Sequence, residues 1–221
     1  MQDIAPGQAP ARSIEVSPNN PCPFLRALVA GGYVGGHVVP LTELSATIDR
    51  ATGKTGLPAL IAGGQIFMVA LIANGLGPFS QLRSLTKGAI LDELRNGPLD
   101  KHGAGSRILD QHAVVHEDEI ARLATFGKGY PNPDGGTERG LSASDIKTFM
   151  AANFQRAKDE HSWSYAILRC YYPLLMLGEW PVLLDIMGKG EGKDRYLSVA
   201  EVRTLFVERR FPDRIVALLN R

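Results

Sequence analysis

The chain has 221 residues, 44% of them hydrophobic and 21% charged, with 24 Lys and Arg against 23 Asp and Glu for a formal charge of +1. That size and balance describe an ordinary globular chain with room for a buried site, and they exclude wholesale disorder. The near-neutral charge argues against a nucleic-acid partner, and only two cysteines, Cys22 and Cys170, exclude a disulfide framework.

Residues 1–20 are rich in Pro, Gln, Ser and Asn, carry no apolar run flanked by basic residues, and read as an extended N-terminal arm. Without a leader, a cytoplasmic location is expected unless one was removed. Residues 21–221 form the remaining domain. Phe24 to Ala30 has helical apolar spacing and ends at Gly31-Gly32, where a left-handed cap costs little. Thr42 to Thr52 reads as a second helix, capped by Thr42, with Leu44, Ile48 and Ala51 on one stripe. Leu57 to Leu76 is the most apolar stretch. Gly63, Gly64, Gln65, Asn74 and Gly75 interrupt it, so a buried central helix is expected rather than a membrane span, and no membrane partner. Phe79 to Asn96 reads as a helix stopped by Asn96-Gly97-Pro98, Glu117 to Phe126 as a short helix, and Gly127 to Gly140 as a surface loop. No alternating strand pattern of useful length occurs. The expected fold is all-α, a single compact helical domain with long loops.

Two later segments echo one another. Arg139-Gly140-Leu141-Ser142-Ala143-Ser144-Asp145 is similar to Arg195-Tyr196-Leu197-Ser198-Val199-Ala200-Glu201, each with a Ser followed three residues on by an acid. Glu201 is expected to complete a capping box, and Asp145 to place favourable charge at its helix start. Two independent helix starts account for the likeness. The loops before them, Asp134 to Asp145 and Gly190 to Glu201, miss the calcium-loop pattern: Gly136 and Arg139 stand where a ligand and the obligatory Gly belong, and the second begins with Gly.

Cys22 lies between Pro21 and Pro23 and immediately precedes an amphipathic run. Pro23 at the first helical position loses no hydrogen bond, and the sulfur then sits near the positive end of the helix dipole. Unsatisfied N–H groups there favour a thiolate, which serves as nucleophile or metal ligand. The run Pro21-Cys22-Pro23-Phe24-Leu25-Arg26-Ala27-Leu28-Val29-Ala30-Gly31-Gly32-Tyr33 resembles the proximal motif of the heme-thiolate peroxidases, the family of chloroperoxidase and the fungal unspecific peroxygenases. Arg26 replaces the usual Asn and Gly31 the usual His. The resemblance implies a chloroperoxidase-like helical fold, a heme b cofactor and Cys22 as the axial ligand of its iron, with Pro23 beside it. An electron-rich sulfur there favours cleavage of a bound peroxide O–O bond.

Three further segments extend the resemblance in the family's order. His112-Ala113-Val114-Val115-His116-Glu117-Asp118-Glu119-Ile120-Ala121-Arg122 is similar to the family's Glu-His-Asp segment, with His116 on the family His and Glu117 on its Asp. His116, its basicity tuned by Glu117, would then handle protons. Family members hold magnesium or manganese between this motif and a heme propionate; Val115 replaces an acid there, and Glu119 offers a substitute oxygen. Glu160-His161-Ser162-Trp163 resembles the distal stretch, making Glu160 the acid–base residue that moves the peroxide proton, its pKa raised by an apolar pocket, with Asp159 and His161 as neighbouring alternatives. Glu208-Arg209-Arg210-Phe211-Pro212 is similar to the closing pattern, with a structural role. The walls of the heme crevice would come from Leu57 to Leu76, including Phe67, and from Phe149 to Trp163.

The function implied is a peroxidase or peroxygenase that uses hydrogen peroxide to oxidise or oxygenate a small organic substrate. A dedicated heme-thiolate biosynthetic enzyme and an inactive heme- or ligand-binding helical protein are the alternatives. Phe67, Phe79, Phe149, Phe154, Trp163 and Tyr165 are otherwise expected in the core. Cys170 lacks a neighbouring ligand pair and leaves a homodimer open.

Overall fold

A computed structural model of the chain describes residues 14–53, 70–95, 105–132, 135–160 and 180–221. Helix α1 (Pro23–Ala30) forms where the sequence places it, burying Phe24, Ala27, Leu28 and Val29. Gly31 is still right-handed; Gly32, at φ 72°, makes the left-handed turn, with its N–H bonded to Val29 O and that of Tyr33 to Leu28 O. Strand β1 (Val38–Val39) leads into helix α2 (Leu41–Thr52), whose stripe Leu44, Ile48 and Ala51 is buried as expected. Its cap is Pro40, not Thr42.

The helix expected over Phe79 to Asn96 is shorter. Helix α3 (Pro78–Lys87) stops at Gly88, and the chain continues as β2 (Ala89–Ile90), antiparallel to β1 with Val38 opposite Ile90, then as a 3-10 turn over Leu91–Glu93. Gly88 has φ 104°, and a Cβ there would strike Val39 O, so the close approach of β1 ends the helix. Phe79, expected in the core, is 86% exposed, with Leu82 and Leu85 beside it on the outer face.

The second half is built differently from the expected helical array. Helix α4 (Glu117–Phe126) is followed by strands β3 (Lys128–Pro131) and β4 (Thr137–Ser142), then by helix α5 (Ala143–Glu160). Helix α6 (Trp180–Met187), strand β5 (Tyr196–Ser198) and helix α7 (Val199–Arg203) follow. A π-helical turn (Thr204–Glu208) extends α7, and helix α8 (Asp213–Leu219) closes the chain. The expected surface loop Gly127 to Gly140 is mostly a hairpin, and β4 also pairs antiparallel with β5, giving the order β3-β4-β5.

Two small antiparallel sheets therefore correct the all-α expectation to a mixed α/β architecture. The strands escape a periodicity search because they are only two to six residues long, and the shortest, such as β2 and β5, are buried throughout rather than alternating. Pairing between distant segments holds them, rather than local preference.

The pairing also relates the two echoing segments. Leu141 lies opposite Leu197, with Gly140 opposite Ser198 and Ser142 opposite Tyr196, so the segments face each other about a local two-fold. Each segment does start a helix, as expected, and the pairing sets the two starts side by side. Gly140 lies beneath the stacked rings of Tyr130 and Tyr196, 4.0 Å apart, and a Cβ there would enter the Tyr196 ring. Asp145 lies in its helix's first turn as expected, and of the box expected at Glu201 only half forms, Ser198 Oγ accepting from Glu201 N at 3.5 Å. Asp145 makes the reciprocal box, accepting from Ser142 N at 2.8 Å while Ser142 Oγ accepts from Asp145 N at 3.3 Å; Glu201 directs its carboxylate elsewhere.

The core joins both halves. Phe149 meets Trp180 edge-on at 5.2 Å, Trp180 stacks on Phe206 at 6.1 Å, and Phe24 of α1 meets Phe211 at 4.9 Å. Each such ring contributes about 1.5–3 kcal/mol by leaving water. Among the described residues, no helix is long and apolar enough to cross a membrane.

Candidate functional site

Cys22 is the N-cap of α1, with φ −83° and ψ 113°, partly buried, and its side chain makes no capping hydrogen bond. Pro23 occupies the first helical turn and is buried. The sulfur is thus positioned by the chain on both sides. Before it, the buried Asn20 side chain accepts from Cys22 N at 3.1 Å; after it, Cys22 O accepts from Arg26 N at 3.0 Å.

Arg26 is 4% exposed, an unusual place for a guanidinium. Its Nη1 donates to Ser17 O at 2.9 Å and to Asn20 O at 3.3 Å, strapping the turn before Cys22 onto α1. Arg95 holds the same turn from the other side. Its backbone N–H donates to Asn19 O, and its Nη2 to Pro18 O and Asp110 O. Residues 14–20 of the expected extended arm are therefore docked, with Ile14 and Val16 against the core. Burial depresses the Arg26 pKa, and the positive charges of Arg209 and Arg95 depress it further, whereas Cys22 opposes the shift. Among the described residues, Arg26 Nε and Arg95 Nε are buried with no hydrogen-bond partner.

Arg26 and Gly31, which differ from the motif that the run resembles, each have a local structural setting. Arg26 is the strap just described. At Gly31, a Cβ would meet the Tyr33 ring at 2.5 Å, so any larger residue there requires that ring to move. The closing motif also has a place: Phe211, 1% exposed, packs on Phe24 and Tyr33 and so supports the helix that carries Cys22.

His116 is the N-cap of α4, its carbonyl accepting from Ile120 N at 3.4 Å, and its own N–H donates to Ile108 O at 2.8 Å. Its carboxylate neighbour is Asp110, with Nε2 to Oδ2 at 3.6 Å, rather than Glu117. Glu117 instead pairs with Arg203 at 2.7 Å. The backbone N–H groups of Val114 and His112 hold Asp110 below the usual carboxylate range. Because Arg95 also binds Asp110 O, a continuous chain of polar contacts runs from the Cys22 turn through Arg95 to Asp110 and His116.

Glu119 is engaged on both oxygens, Oε1 with Arg156 at 2.6 Å and Oε2 with Arg122 at 3.5 Å. Arg122 also donates to Asn153 Oδ1 at 2.6 Å and lies over the Phe126 and Phe149 rings at 5.4 and 5.5 Å. Burial depresses the Arg122 pKa, and Arg156 adds to the effect. This is an ion-pair cluster between α4 and α5, and among the described residues no group of three or more metal-ligating side chains occurs. Glu160, at the end of α5, is exposed and paired with Arg107 at 2.6 Å. The raised pKa expected of it requires an apolar enclosure; the side chain instead faces a cation and is 44% exposed. Phe67, Trp163, His161, Tyr165 and Cys170 lie outside the described residues.

The sequence reading missed Asn20, Arg26, Arg95 and Asp110 as parts of this site. Arg26 carried a signal, since it stands among Phe24, Leu25, Leu28 and Val29 on a short apolar helix. Arg95 and Asp110 carried none, being brought in by non-local contacts. No family model, curated protein or solved structure matches the chain.

Proposed function

We propose that the protein is a heme-thiolate oxidoreductase that uses hydrogen peroxide to oxidise or oxygenate a small organic molecule, with Cys22 as the iron ligand. The observation that carries this reading is the setting of Cys22: a helix N-cap fixed by Asn20 and Pro23 beside a buried guanidinium. Helix N-termini and neighbouring cations stabilise thiolates. The orphaned Nε atoms of Arg26 and Arg95 are donors of the kind that an acidic group on a cofactor satisfies.

When bound, heme would supply the peroxide O–O cleavage that a thiolate ligand promotes. Cys22 Sγ would hold it and donate charge. Glu160, paired with Arg107, would accept a proton at a carboxylate oxygen, and His116, oriented by Asp110, would relay one at Nε2. Glu119 has no part in this reading beyond the α4–α5 ion pairs, so no second metal is assigned.

The test is reconstitution with hemin, followed by the optical spectrum of the ferrous carbonyl complex. A red-shifted, thiolate-type band in the wild type and its loss in Cys22→Ala are expected. Failure to take up hemin, or an unchanged carbonyl spectrum in Cys22→Ala, overturns the assignment. The exposure of Glu160 favours a second reading, a heme-binding protein without turnover; thiolate ligation with no peroxide-dependent oxidation would select it.

A further inference from the structure

The segments joined through β4 and β5 enclose a charge cluster that the proposed heme chemistry does not use. Each half is a helix–loop–helix: α4, the β3–β4 hairpin and α5 in one, α6, the Lys189–Ser198 loop and α7 in the other. Paired helix–loop–helix units joined through short antiparallel strands are a frame in which divalent cations bind to loop oxygens. Here two carboxylates, one from β4 and one from the first turn of α7, converge on a side chain of the protein. Lys189 Nζ lies 2.7 Å from Glu138 Oε1 and 3.3 Å from Glu201 Oε1, so one ammonium bridges an acid from each half.

The remaining oxygens are also occupied. Glu138 Oε1 accepts from Tyr196 OH at 2.8 Å and Oε2 from Ser198 Oγ at 2.6 Å. Glu201 accepts from both Nη atoms of Arg214, which anchors α8 to the unit. Glu138 and Glu201 are only 15% and 16% exposed. Two carboxylates this shielded require two compensating charges, because leaving such charge unmatched is costly; Arg214 answers Glu201 from outside, and Lys189 is the cation that lies between both acids. Position adds to geometry: backbone bonds in both directions between Lys189 and Tyr196 fix the lysine at the mouth of its loop.

We infer that this unit is a cation-binding frame in which the chain supplies its own cation: Lys189 takes the position of a divalent ion between Glu138 and Glu201. The unit then holds its form without calcium, and removing the ammonium opens a site for a hard divalent ion with carboxylate and hydroxyl ligands. This inference is independent of the role of Cys22.

The test compares thermal unfolding of the full-length wild type, Lys189→Met and Lys189→Met/Glu138→Gln in EDTA and in millimolar calcium. The wild type is expected to melt at the same temperature in both. Lys189→Met is expected to melt roughly 5–10 °C lower in EDTA and to recover much of the loss in calcium. The double variant is expected to lose the calcium response, and Lys189→Arg to behave as wild type does. If Lys189→Met folds only when calcium is present, the inference stands in its strongest form. Calcium stabilisation of the wild type, an unaltered melting temperature in Lys189→Met, or a Lys189→Met protein that calcium does not rescue overturns it.

Discussion

Replacing Glu119 by Gln separates an ion-pair role from a cation-ligand role. The carboxylate is 14% exposed and answers two guanidiniums, Arg156 at 2.6 Å and Arg122 at 3.5 Å, which are 21% and 28% exposed. The amide keeps the shape but removes the charge, leaving two partly buried cations facing each other. Breaking a fully buried pair costs about 3–5 kcal/mol. Solvent reaches part of each guanidinium, and Asn153 still accepts from Arg122, so we expect about 2 kcal/mol. In a chain of this size that corresponds to a fall in melting temperature of roughly 4–8 °C. Removing one of the two repelling cations as well, in Glu119→Gln/Arg156→Met, should restore part of the loss. The assay is thermal and urea unfolding in EDTA and in magnesium. A Glu119→Gln protein within about 0.5 kcal/mol of wild type would refute the ion-pair account. So would a wild type whose melting temperature falls by several degrees on chelation, since that would restore Glu119 as a metal ligand.

Glu160→Gln should slow peroxide-dependent oxidation by roughly two to four orders of magnitude, read by stopped-flow; unaltered turnover would move the proton role to His116. Gly140→Ala should destabilise the protein by about 1–3 kcal/mol in urea unfolding, because the new methyl enters the Tyr196 ring. Stability should also fall at both pH extremes. Burial works to raise the Glu138 pKa, but Lys189, Ser198 and Tyr196 outweigh it and hold it below the ordinary value; its contribution is present above about pH 4.5 and is lost as pH drops below that. Tyr196 is pushed up to about 12 by burial and by its hydrogen bond to Glu138, so its contribution is complete below about pH 10 and is lost between there and pH 12. Melting curves from pH 3 to 12 check both limits, and Tyr196→Phe should flatten the alkaline one.

Much of the helical framework was legible in the amino-acid order because its causes are local. Pro23 and the spacing of Phe24, Leu28 and Val29 specify α1, and the Gly31-Gly32 pair specifies its end. The stripe Leu44, Ile48 and Ala51 specifies α2, and the helices begun by Glu117 and after Ser142 follow from first-turn acids and caps. The position of Cys22 at a helix start was also written there, since it needs only its two neighbouring prolines.

The rest depended on residues far apart in the chain. Strands as short as Val38–Val39 and Tyr196–Ser198 have no periodicity to read and exist because β2 and β4 lie alongside them. The partner of His116 proved to be Asp110 rather than Glu117, because the 105–116 loop folds back on itself. The likeness between the Ser142 and Ser198 segments was visible as a pattern, yet only their antiparallel pairing made it a two-fold. Charge compensation behaved the same way: the sequence shows how many cations and anions are present, but which ammonium meets which carboxylate is decided when packing excludes water between them.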